Sequence, residues 1–242
     1  MTIPAPIDAA RAVLEHARES DAAYRQRLPW RLQHEHDMRG ARYRVRAALV
    51  QPVPSDLAVL VREVVRALRI ALDDSAGRLA GRPTRFPIHD SLAEFAQRAR
   101  KALAAMPDES QAAIEALQPY HAIGGFRNGP LWLLRQLDDG ATLSFAAGAV
   151  QEGATFGVNT RRKVDLVGVP TVLSGPFDDG TIVAEAVTRI VGPDPKLDMH
   201  FRADLVTAFA RQGPARGAEV MASLATLVDH VARVVDAPAL RR

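Results

Sequence analysis

Between Pro54 and Gly81 the apolar residues Leu57, Leu60, Val61, Val64, Leu68, Leu72 and Leu79 recur at spacings of three and four. That period places them on one face of an α-helix, and a face of that size must be covered by other parts of the fold. Ser55 supplies a side-chain cap for the first turn. Gly81 and Pro83, which suit no helix interior, mark the end. The opposite face is charged: successive residues turn by about 100°, so Arg62, Arg66, Arg69 and Asp73 fall within about 60° of one another. Arg69 and Asp73, four apart, are placed to pair.

Further helical patterns flank this one. Residues 8–28 carry Val13, Ala17, Tyr24 and Leu28 roughly on one face, with Asp8 at the start and Pro29 as the breaker. A helix capped by Ser91, with Glu94 three residues on, carries Leu92, Phe95 and Leu103. Another runs from Asp108 to Leu117 and stops before Pro119, and a third opens at Pro130 and ends at Gly140. The last is strongly amphipathic, with Val220, Met221, Leu224, Leu227, Val228, Val231 and Val235 as one stripe. That stripe reads equally as core or as a contact surface between two copies of the chain.

Two stretches break the helical pattern. Arg42, Arg44 and Arg46 alternate with Tyr43, Val45 and Ala47, the period of two expected of a strand with one cationic and one apolar face. Residues 141–206 are rich in Val, Thr, Phe and Gly, with turn signals at Asp179-Gly180 and Gly192-Pro193, and predict four to six antiparallel strands. Helices, then strands, then a helix is an α+β order without βαβ alternation. The organisation expected is one composite domain over 1–242: a helical part at 1–140 with one strand near 41–50, a β-rich part at 141–206, and a closing helix at 214–236.

Composition removes several classes of function. The chain has no cysteine, which excludes disulfides, Cys-based zinc or iron–sulfur sites and a thiol nucleophile. No apolar run approaches the ~18 residues of a membrane span. Pro4, Pro6, Asp8, Arg11 and Glu15 leave no continuous apolar core for a signal peptide, so a cytoplasmic chain with no membrane partner is expected. The net charge is only +3, and the first 82 residues carry the basic excess. Any electrostatic footprint for phosphate therefore lies in the first third. The preference for Arg over Lys, 28 to 3, reflects a GC-rich genome more than selection for guanidinium chemistry.

Chemistry-bearing patterns are few. His34-Glu35-His36-Asp37 is the one dense cluster of metal-ligand types; His34 and His36 share a face in a strand and diverge in a helix. A solvated polar turn is the plainer reading of that cluster. No Gly-x-Ser-x-Gly, Walker A or dinucleotide fingerprint occurs, and no cofactor is implied. Gln118-Pro119-Tyr120-His121 places an amide, a phenol and an imidazole in sequence, and with Asp73 and Asp74 suggests a pocket between the helices and the β-rich part. A routine helix terminator with Tyr120 in the core accounts for the same run.

The stretch Val65 to Asp74, with Arg69, Asp73 and Asp74 in Leu68-Arg69-Ile70-Ala71-Leu72-Asp73-Asp74, is followed by Phe86-Pro87-Ile88, then by Ile114 to Tyr120 and Leu131 to Leu137. Over about residues 55–140 this resembles a group of largely uncharacterised bacterial proteins with HEPN-like helical domains. In typical members the long helix reads Asn-Leu-Arg-Ser-Ala-Leu-Asp-His and the later helix ends in Asp-Lys-His-Arg. The resemblance implies a HEPN-like bundle, usually dimeric, whose Arg and His make active members metal-independent ribonucleases.

Here Arg69 and Asp73 fit, but Asp74 stands at the motif histidine, and Gly140-Ala141-Thr142 follows Asp138-Asp139 where Lys-His-Arg is expected. An ordinary carboxylate is a poor general base at neutral pH, and losing such a base costs about 10²–10⁴-fold in rate. The sequence thus reads as a catalytically degenerate member that binds RNA or a protein partner. Arg62, Arg66 and Arg69, aided by Arg42, Arg44 and Arg46, form the contact surface. The competing reading is a small-molecule enzyme or carrier whose pocket, between the helices and the β-rich part, uses Asp73, Asp74, Gln118, Tyr120 and His121.

Overall fold

The computed structural model describes residues 5–37, 39, 41–140, 143–149, 155–162, 164–172, 176–190, 196–202, 205–210, 213, 215 and 217–241. Among them seven α-helices and eight strands make an α+β fold. The chain divides into two compact units, each drawn from separated stretches. The first takes Met1–Ser20, Ser55–Leu143 and Met221–Arg242, and the second Asp21–Pro54 and Ser144–Val220. Neither coincides with the helical and β-rich parts expected from chain order.

The first unit is helical. Helix α2 (Ser55–Ala80) buries the whole expected stripe, together with Val65, Ala71 and Ala76. It ends as the sequence predicts: Gly81 takes a left-handed φ of 63°, its N–H reaches the Arg78 carbonyl, and the Arg82 N–H reaches the Gly77 carbonyl. Those two bonds are a Schellman cap, which satisfies carbonyls that the helix leaves open. Helix α1 (Pro6–Gln26) buries Ala10, Leu14 and Ala17 in its first-unit part. Of the expected face Ala17 and Tyr24 are buried, Leu14 takes the place of the half-buried Val13, and Leu28 lies past the helix, 75% exposed at φ 51°.

The Ser91 cap is present, accepting from the Glu94 N–H, but the single helix expected after it is two: α3 (Leu92–Arg98) and α4 (Arg100–Leu103), hinged at Ala99. Phe95 and Leu103 are buried and Leu92 is exposed. Helix α5 (Asp108–Ala116) follows, and then α6 (Pro130–Asp138), which buries Leu131, Trp132, Leu134 and Leu137 and packs on α2. Helix α7 (Val220–Asp236) starts six residues later than expected. Its Met221, Leu224, Leu227, Val228 and Val231 are already buried within the single chain, so that stripe is core and is not left for a second copy. No helix among the described residues is long and apolar enough to cross a membrane.

The second unit carries the strands, all antiparallel. β2 (Arg42–Leu49) alternates as expected, with Tyr43, Val45 and Ala47 buried and the arginines outward. It lies between β1 (Trp30–Asp37) and β6 (Ile182–Ile190), with β5 (Val164–Val172) completing a four-stranded sheet in the order β1-β2-β6-β5. β3 (Phe145–Ala149) pairs with β8 (Leu205–Phe209), and β4 (Thr155–Arg162) with β7 (Lys196–Arg202). Six strands in 145–209 meet the upper end of the four to six expected. β1 replaces the polar turn read at 34–37: its side chains are largely polar, and its backbone is held by full antiparallel pairing with β2. Within this unit Asp21 is buried where it accepts from Thr207 and pairs with Arg25, and the Tyr24 hydroxyl donates to the Gln51 carbonyl.

Candidate functional site

Residues 86–89 cross the first unit outside any helix or strand, so their backbone groups need partners from elsewhere. Side chains supply them. Asp73 on α2 accepts from the Phe86 N–H (2.8 Å), and Arg69, one helical turn earlier, donates through Nη2 to the Phe86 carbonyl (2.6 Å). The Gln118 amide, only 1% exposed, donates to the Pro87 carbonyl (3.0 Å) and to the Ile114 carbonyl (2.9 Å) of the helix that ends just before it, while its oxygen accepts from the His89 N–H (2.9 Å). Arg135 on α6 donates to the Ile88 carbonyl (3.1 Å). Four side chains thus do the work of a sheet ladder, and they fix where His89 sits.

Two of these side chains, Arg69 and Arg135, and the 86–89 segment itself wall a cleft of about 560 Å³. Its lining holds five guanidinium groups, Arg69, Arg82, Arg85, Arg98 and Arg135, against two carboxylates, Glu94 and Asp139, with His89 among them. Arg69 is 8% exposed. Its Nη2 lies 3.1 Å from Asp73, whereas its Nε has no hydrogen-bond partner and lies 3.9 Å from Asp138 Oδ2. Burial pulls the Arg69 pKa below its ordinary value, Asp73 and Asp138 oppose that, and Arg85 reinforces it. A guanidinium stays charged through such a shift.

Arg85 reaches the same Asp138 Oδ2 at 2.9 Å. Arg135 contacts Asp90 and Asp139 at 3.4 Å each and Glu94 at 3.8 Å. Glu94 also faces Arg98 (3.1 Å) and His89 Nδ1 (3.4 Å), the latter at ion-pair distance without hydrogen-bond alignment. Burial alone would raise the Glu94 carboxyl; His89, Arg135 and Arg98 together hold it below the usual range.

The residues singled out from sequence fare unequally. Arg69 and Asp73 meet, and Asp138 at the end of α6 joins them. Asp74 is exposed on another side of α2, in a separate hollow of about 340 Å³ with Pro6, Ile7 and Arg78, and among the described residues no imidazole lines that hollow. Arg62 and Arg66 are exposed, have no partner among the described residues, and do not share the burial of Arg69. The expected common stripe therefore splits, because the helix turns Arg69 toward the 86–89 segment.

His121 is exposed, its ring 4.4 Å from that of Tyr120, and it lines a third hollow with Gln118 and His230. No hydrogen bond joins it to Asp73 or Asp74, and Gln118 is occupied by backbone, so the proposed acid–amide–imidazole set does not assemble. Tyr120 packs edge-on to Phe95 and is half-buried, so it borders the core without belonging to it.

In the second unit, Arg42 and Arg44 pair with Glu185, and Arg46 with Glu35 and the Gly180 carbonyl, so most of that strand's charge is compensated. His34 bonds the Tyr43 hydroxyl, and His36 lies 3.5 Å from Thr188. The two imidazoles do share a strand face, but they flank a tyrosine. No group of three or more potential metal ligands occurs among the described residues.

Sequence reasoning missed Arg85, His89, Glu94 and Arg135. The available signal was Phe86-Pro87-Ile88, an extended run whose backbone must find side-chain partners, beside helices rich in Arg. Comparison with known proteins finds no family model that matches this chain, and no curated protein or solved structure that matches it.

Proposed function

We propose that the first unit is a binding module for phosphate-bearing ligands, RNA among them, on a HEPN-like helix pair that has lost its ribonuclease chemistry. The observation that carries this reading is Arg69: a buried guanidinium whose Nε has no hydrogen-bond partner, on the wall of a cleft with four more arginines and two carboxylates. Burying a charge is expensive unless it is paired, and an anion arriving in the cleft would supply the missing acceptor. The HEPN-like part of the reading is supported by the meeting of Arg69 and Asp73 with Asp138, which lie in the long helix and at the end of the later helix, the two places where the resemblance sets its polar residues. The loss of chemistry is supported by Asp74, which faces Arg78 in a separate hollow.

The test is binding of a labelled single-stranded RNA followed by fluorescence anisotropy across a salt series. Affinity should fall with salt, with a slope of about −0.7 per phosphate neutralised. Arg135→Ala should weaken it about tenfold, the scale of one charge-assisted hydrogen bond, with circular dichroism confirming that the variant folds. Salt-independent binding, or affinity untouched by the substitution, would overturn the reading. RNA cleavage in chelator would overturn the loss of chemistry.

A further inference from the structure

The charges of the cleft converge. Arg69 and Arg85 approach the same oxygen of Asp138, at 3.9 and 2.9 Å. Arg135 contacts the next residue, Asp139, and Glu94, which in turn holds Arg98. A surface that follows a nucleic-acid backbone needs cations strung along a path, each meeting one diester phosphate of single charge. Two guanidiniums aimed at one carboxylate oxygen, with a third beside them, suit a single centre carrying more than one charge. A phosphomonoester carries about −1.5 to −2 at neutral pH and presents three strong acceptor oxygens. The cleft volume, about 560 Å³, lies within the range of about 300–1,000 Å³ typical of small-ligand sites.

We infer that the cleft recognises the terminal phosphate of a phosphomonoester, held between Arg69, Arg85 and Arg135. This rests on the anion-binding reading above and narrows it. Asp138 and Asp139 keep the guanidiniums oriented while the site is empty, which lowers the entropy lost when the ligand arrives. Arg69 offers its Nε–H, a buried donor of that side chain without an acceptor among the described residues, since Nη2 is already committed to the Phe86 carbonyl and Asp73. Arg85, whose side chain is 67% exposed, is the cation free to swing from Asp138 onto the ligand.

The shared chemistry has two sources, a small phosphorylated metabolite or the 5′ end of an RNA, and one experiment separates them. The same short RNA, labelled at its 3′ end, is titrated in 5′-phosphate and 5′-hydroxyl forms at constant ionic strength. Inorganic phosphate serves as competitor, and adenosine monophosphate is measured against adenosine. The 5′-phosphate form should bind at least about tenfold more tightly, the gain expected from charge-assisted bonds to arginine, and inorganic phosphate should displace it.

Adenosine monophosphate binding as tightly as the RNA assigns the small-molecule source; much tighter RNA binding assigns the nucleic-acid end. Either supports the inference. Equal affinity of the two RNA forms overturns it and leaves salt-sensitive anion binding standing, whereas no binding by any of the probes overturns both. Arg85→Gln, at an exposed position where folding is retained, should abolish most of the preference for the phosphorylated end; an undiminished preference also overturns the inference.

Discussion

Arg69 carries two jobs that sequence alone does not separate. Its spacing to Asp73 reads as an ordinary surface pair, worth a few tenths of a kcal/mol. In the fold it is buried and holds the Phe86 carbonyl, while Asp73 holds the Phe86 N–H. Arg69→Ala removes a donor from a buried carbonyl and leaves Asp73 without its cation, so it should cost about 2–4 kcal/mol. A urea titration checks this: a midpoint within error of the parent would mean that the 86–89 segment is held without Arg69. Arg69 was legible as chemistry because of its place in the long helix. His89 and Glu94 were not, since what brings them to the cleft is the side-chain ladder on 86–89, and no residue in that ladder advertises its target.

Helices were the legible elements because their signals are local. The α2 stripe, its glycine stop and the Ser91 cap are each set by residues within one or two turns. The stop can be priced. Gly81 sits at φ 63° with no neighbouring atom within 4 Å of a built Cβ, so Gly81→Ala meets backbone strain and no clash. It should lower stability by about 1 kcal/mol, read as a shift in thermal midpoint, with the fold unchanged by circular dichroism. A neutral or stabilising result would mean that the cap is not left-handed in solution. β1 was not legible, because Trp30-Arg31-Leu32-Gln33-His34-Glu35-His36-Asp37 has apolar residues at only two of its positions. An edge strand of that kind is fixed by its neighbour's backbone more than by its own side chains.

At the scale of the molecule, what sequence order hides is long-range pairing: β2 lies beside β6, with Arg44 opposite Glu185, and nothing local in either strand announces the other. Stability against acid is likewise a property of the whole chain, and two groups set its expected shape. His230 on α7 has its pKa pulled below the ordinary imidazole value of 6.5, first by burial and then by Arg233, and its Nε2 is buried without a partner. The unfolded chain therefore takes up this proton before the folded one does. Stability should decline as pH falls below 6.5 and level off once the folded histidine has also titrated. Glu94 acts lower down: its pKa is held below 4.5, so its contribution is complete above that value and disappears as pH falls through the depressed one. His230→Phe should flatten the upper decline and leave the lower one in place, as read from thermal midpoints across a pH series. An upper decline that persists unchanged in the variant would show that His230 is not held neutral by burial, and would shift the cause to another imidazole.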